Sequence, residues 1–205
     1  MKKNLSFLIF VWAITMVSLP INAHTSKKRS SKSTTSVATI LNIEPGQLVT
    51  KITPNYANYV GEEGVEFLPE ECRKHPETYE LKSTEQVEES LRNNGFTFKG
   101  SQKVKLDDIF SDGSYATGKC LDYVKDGVTV KLYVCTDRSV GDTPFLDYVK
   151  ILFPTSKLKS SFVELIENMG FKQNYGYYTY GECLGIQIMV KGNTCTISTF
   201  NGLVG

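Results

Sequence analysis

The sequence predicts an α+β fold, a tandem repeat of one helix packed on a small antiparallel β-sheet, and three observations predict it. Two stretches close a helical pattern in the same way, one running from Ser83 to Gly95-Phe96 and the other from Ser161 to Gly170-Phe171. Each is followed by a similar short segment, Gly118-Lys-Cys120-Leu121 and Gly181-Glu-Cys183-Leu184. Beyond each segment, apolar and polar residues alternate through a strand, a tight turn and a second strand.

The chain opens with basic Lys2 and Lys3, an apolar run from Leu5 through Val17, then Pro20 and the small residue Ala23. This is the pattern of a secretory signal peptide over 1–23 with cleavage near Ala23. The apolar run is about 13 residues, whereas a bilayer crossing needs roughly 20, so no transmembrane segment is expected after cleavage. Residues 24–36, HTSKKRSSKSTTS, hold four basic residues, no acid and no large apolar side chain, the composition of a disordered tail. Globular sequence begins at residue 37. Residues 37–153 are expected to form the first helix-plus-sheet unit, with a loop-rich N-terminal part, and residues 154–205 the second.

In the first unit, Ser83 and Gln86 have the spacing of a capping box, Val87 and Leu91 lie one turn apart, and Gly95 supplies a left-handed C-terminal residue. In the second, Leu158, Phe162, Leu165, Ile166 and Met169 form an apolar stripe ahead of Gly170. Val128, Val130, Leu132 and Val134 share one strand face, as do Leu184, Ile186, Ile188 and Val190. Asp126-Gly127 and Gly192-Asn193 are the residue pairs that suit two-residue hairpin turns. Phe145 to Phe153 reads as the strand that closes the first unit. The element order of these roughly 120 residues is similar in outline to that of tandem helix-and-sheet secreted proteins such as the beta-lactamase inhibitor proteins, a likeness of order and not of motif.

The turns also set cysteine geometry. With Asp126-Gly127 at the turn, Leu121 faces Leu132 and Tyr123 faces Val130, which puts Cys120 and Cys135 diagonally on the other face. A Cys120–Cys135 disulfide is expected, provided a bulge or small register change brings the pair together. With Gly192-Asn193 at the second turn, Cys195 faces the core opposite Val190, and Cys183 points to the other side. Cys72 and Cys183 are then either a second bridge or free thiols.

Function is read from composition and from side-chain groupings. The chain has 205 residues, of which 40% are hydrophobic, enough for a full core. Lys and Arg number 23 against 22 Asp and Glu, which gives no electrostatic footprint for a nucleic-acid partner. No G-x-S-x-G elbow, H-E-x-x-H pair, phosphate-binding loop or dinucleotide glycine pattern occurs. Cys72 and His75, preceded by Glu70 and Glu71, are the one place where thiol, imidazole and carboxylates converge. They are the metal or thiolate-imidazole candidates, although a metal site needs three or four ligands. His24, at the head of the tail, lacks the rigid surroundings a copper site would need. Asp107, Asp108 and the Ser111-Asp112-Gly113-Ser114 turn lack the alternating oxygen ligands of a calcium loop.

Tyr175, Tyr177, Tyr178 and Tyr180 make the densest aromatic cluster, and tyrosine combines contact area with a polar tip. The expected function is a secreted or periplasmic, non-enzymatic protein-interaction module of inhibitor or envelope accessory type, with no cofactor, presenting these tyrosines to a protein partner in the envelope or extracellular space. The alternatives are a small-ligand or glycan binder in the groove between the units, and a metal or thiol enzyme built on Cys72 and His75.

Overall fold

The structure, a computed structural model, describes residues 42–107 and 114–201. The expected signal peptide, the expected tail with His24, residues 108–113 and residues 202–205 lie outside the described residues.

A 3-10 turn at Pro45–Gln47 leads into β1 (Val49–Ile52). The loop-rich stretch that follows holds the short helix α1 (Ala57–Val60), a second 3-10 turn at Glu63–Phe67, and the one-turn helix α2 (Glu70–Lys74). It returns as β2 (Thr78–Leu81), which pairs with β1. Then come α3 (Thr84–Asn93), β3 (Thr97–Leu106), β4 (Ala116–Lys125), β5 (Val128–Cys135) and β6 (Phe145–Leu152). The last part is α4 (Ser156–Asn168), β7 (Lys172–Asn174), β8 (Tyr177–Thr179), β9 (Leu184–Lys191) and β10 (Thr194–Asn201).

The local signals act as chemistry dictates. The Ser83 hydroxyl accepts from the Gln86 amide at 3.3 Å, while the Gln86 side chain accepts from the Ser83 amide at 3.0 Å, so two otherwise unpaired donors are satisfied at the start of α3. Thr155 caps α4 by accepting from Leu158 N at 3.3 Å. Gly95 and Gly170 take φ of 82° and 96° where the helices end, a conformation that costs a side chain dearly. Both two-residue turns set the expected registers: Leu121 faces Leu132 and Tyr123 faces Val130 in one hairpin, and Val190 faces Cys195 in the other.

The tandem repeat of helix on a small sheet does not form. The protein is mostly β, with all eight strands from β3 onward in one continuous antiparallel sheet of order β3-β4-β5-β6-β10-β9-β8-β7, plus the two-stranded β1-β2 sheet. The finding that overturns the expectation is the β6–β10 ladder, with Ile151 opposite Cys195 and Val149 opposite Ile197. Two separate four-stranded sheets would each expose an edge at β6 and β10; joining them satisfies both rows of backbone groups and makes one apolar surface.

That surface is the covered face. Val130, Leu132, Val149, Ile151, Ile188 and Ile197 are fully buried on it, and α3 and α4 bury Val87, Leu91, Phe162 and Ile166 in the same cluster. Phe96 and Phe171, which follow the two helix ends, fill the space between helix and sheet. The β1-β2 pair seals one end. Here the Thr78 hydroxyl donates to the Leu184 carbonyl at 2.7 Å, and a Cβ on Gly185 would stand 2.1 Å from that hydroxyl, so only glycine lets the two sheets approach this closely.

Candidate functional site

The tyrosine cluster falls on the hairpin of β7 and β8 at the end of the sheet. Asn174 pairs with Tyr177, so Tyr175 and Gly176 are the turn. Their φ values are 46° and 90°, the two positive dihedrals of the hairpin turn that favours Asn-Gly. A tyrosine in the left-handed region works against its own Cβ. It is 95% exposed, so no intramolecular packing offsets this.

The four tyrosines divide by role. Tyr178 is 9% exposed and packs in the core opposite Ile188. Tyr180, just past β8, is held edge-on by Tyr79 at 4.9 Å and touches Phe171 at 5.7 Å. Tyr177 is 38% exposed beside Met189 at 39%, its cross-strand partner. Tyr175 and Tyr177 thus face solvent, while Tyr178 and Tyr180 build the frame behind them.

Tyr177 and Met189 belong to the open part of the sheet's second face, opposite the one that packs on α3 and α4; toward β3 and β4 that face is covered by a small cluster of Leu106, Ala116 and Cys135 with Tyr133 and Tyr148. The row of Tyr177 and Met189 runs through Thr196 and Lys150 to Lys131 and Asp122. The neighbouring row sets Tyr133 against Tyr148, with rings stacked at 4.1 Å and 14°. Lys131 contacts both oxygens of Asp122 at 2.8 and 2.9 Å, and the Asp122 carboxylate hydrogen bond holds its ammonium pKa above the ordinary value. The Cys120 thiol donates to Asp122 at 3.3 Å, and burial raises its pKa, so it is a weak nucleophile. Tyr133, Tyr148 and Met189 are not among the residues the sequence singles out, although the β4–β5 register places Tyr133 opposite Cys120 on the non-core face.

A cleft of about 820 Å³ adjoins the same hairpin. It is lined from α2 and the residue that ends it by Glu71, Lys74 and His75, from β7 by Lys172, Gln173 and Asn174, and from the segment after β8 by Tyr180, Glu182 and Cys183. The Cys72–Cys183 disulfide ties these walls together across 111 residues of sequence. Of the alternatives left open for these cysteines, the bridge is the one found, so Cys72 has no thiol to pair with His75. His75 is exposed and borders the cleft. Among the described residues no three His, Cys, Asp or Glu side chains are grouped to hold a metal ion.

The Cys120–Cys135 bridge is corrected. Both cysteines are buried and unbonded, because the β4–β5 ladder runs from Gly118–Cys135 to Lys125–Val128 without the irregularity the bridge required. Cys120 faces Tyr133, one row away from Cys135. Cys195 is a buried core thiol, with burial pushing its pKa up to about 12.

No described helix is long and apolar enough to cross a membrane. Comparison with protein-family models, curated proteins and solved structures finds no match.

Proposed function

We propose that the protein is an exported, non-enzymatic interaction module that grips a protein partner with the β7–β8 hairpin and the adjoining open face of the sheet. The observation that carries this reading is Tyr175, a fully presented aromatic in a backbone conformation that folding alone would assign to asparagine or glycine. Tyr177 and Met189 extend the contact onto the sheet, and aromatic residues with methionine are what protein interfaces enrich. Lys150 lies further along the same row beside the Lys131–Asp122 pair and adds one positive charge, so the surface fits a partner patch that is mainly apolar with an acidic group. Export is supported by the signal-peptide pattern of residues 1–23 and by a disulfide that an oxidising compartment would maintain.

The test is quantitative co-purification from the native host with tagged wild type, Tyr175→Asn and Tyr177→Ser. The partner retained by wild type is expected to fall at least about tenfold on Tyr175→Asn, a loss typical of an aromatic anchor, while the variant stays folded. Equal retention by both variants contradicts the reading.

A further inference from the structure

We propose that the cleft beside the hairpin is a binding site for a neutral oligosaccharide, separate from the protein-contact surface. Its volume of about 820 Å³ lies within the roughly 300–1,000 Å³ of small-molecule sites. The lining mixes polar and apolar surface in about equal parts: Pro76, Leu184, the disulfide and tyrosine carbon stand beside hydroxyl, amide, carboxylate, imidazole and amine groups. Sugars need this mixture, because each hydroxyl both donates and accepts, and Gln173, Asn174, Glu71 and Glu182 supply both functions. Tyr180, half-buried at the cleft wall, adds aromatic carbon for the C–H face of a sugar ring.

Charge accounting points the same way. Lys74 is paired with Glu70 at 2.5 Å, and Glu77 with Lys51, so these lining charges are spoken for. The carboxylates of Glu71 and Glu182 remain against Lys172, an excess of one negative charge that disfavours an anionic ligand. The walls are also preorganised. The disulfide joins the residues directly after Glu71 and Glu182, at a Cα separation of 5.9 Å, while Tyr79 and Phe171 hold Tyr180 in place. A site fixed in this way loses little conformational entropy on binding.

The experiment is an amide NMR titration of the oxidised protein with maltotriose, cellotriose and chitotriose. One of these is expected to shift the amides of Glu71, Gly181 and Glu182 saturably, and Glu71→Ala or Glu182→Ala to weaken it at least about tenfold with an unchanged melting temperature, as loss of a charge-assisted hydrogen bond would. Tyr175→Asn is expected to bind the sugar like wild type, which separates this site from the protein-contact surface. Absence of saturable cleft shifts with all three trisaccharides, or undiminished binding by both alanine variants, overturns the proposal.

Discussion

Two hairpins of this protein use the same turn for different ends. The β4–β5 turn is Asp126-Gly127, with φ of 47° and 82°; the β7–β8 turn is Tyr175-Gly176, with φ of 46° and 90°. Aspartate tolerates the left-handed region through its short polar side chain, and the strands it joins are ten and eight residues long. Tyrosine has no such compensation, and its strands are three residues each. The first hairpin is built as part of the frame, with Tyr123, Val130 and Leu132 in the core. The second rests on that frame through Tyr178 and carries at Tyr175 a side chain that packs on nothing in the fold, which is the feature the proposed partner contact rests on.

The largest effect should come from breaking the frame. Leu132→Ala opens a cavity under two helices and is expected to cost about 4 kcal/mol by urea denaturation, whereas Tyr177→Ala on the second hairpin should change stability by less than about 0.5 kcal/mol. Next comes Cys72→Ala with Cys183→Ala, which frees a loop spanning 111 residues and should cost about 3 kcal/mol. This pair should also loosen the cleft walls, seen as faster amide exchange at Glu71 and Glu182, with the β4–β5 amides still the best protected.

A pH effect separates frame from hairpin tip. Burial pushes Cys195 from 9.0 up to about 12, and burial together with its hydrogen bond to Glu88 pushes Tyr123 from 10.0 up to about 12. Both groups hold their proton more tightly when folded, so their contribution is complete below about pH 9 and is lost as pH rises toward about 12. Urea midpoints should fall across that window, and Cys195→Ala should flatten part of the fall. The smallest and most telling pair exchanges the turn residues. Asp126→Tyr should lower stability by about 0.5–1 kcal/mol, and Tyr175→Asn should raise it by a similar amount.

The same comparison explains what was legible in the sequence. Asp126-Gly127 and Gly192-Asn193 fix register locally, so pairing, the core face and the inward Cys195 follow from residue types alone. The helix ends were equally readable from Ser83, Gln86, Gly95 and Gly170. The single eight-stranded sheet was not, because the β6–β10 ladder joins strands whose edges carry no mark of their partner. Tyr175-Gly176 does not read as a turn in the sequence because tyrosine is a poor signal for positive φ. The cleft was hidden for a further reason: its walls come from residues 53–78 and 170–184, which are far apart in sequence and are joined by the Cys72–Cys183 bridge, the Thr78–Leu184 hydrogen bond and the packing of Tyr79 on Tyr180.

The most direct test places a photo-crosslinking amino acid at position 175 and, in a second protein, at position 126, the equivalent turn site of the other hairpin, and irradiates both in the native host. The account predicts a discrete protein adduct at 175 that is absent at 126. Adducts of equal intensity at the two positions, or none at 175, would contradict it.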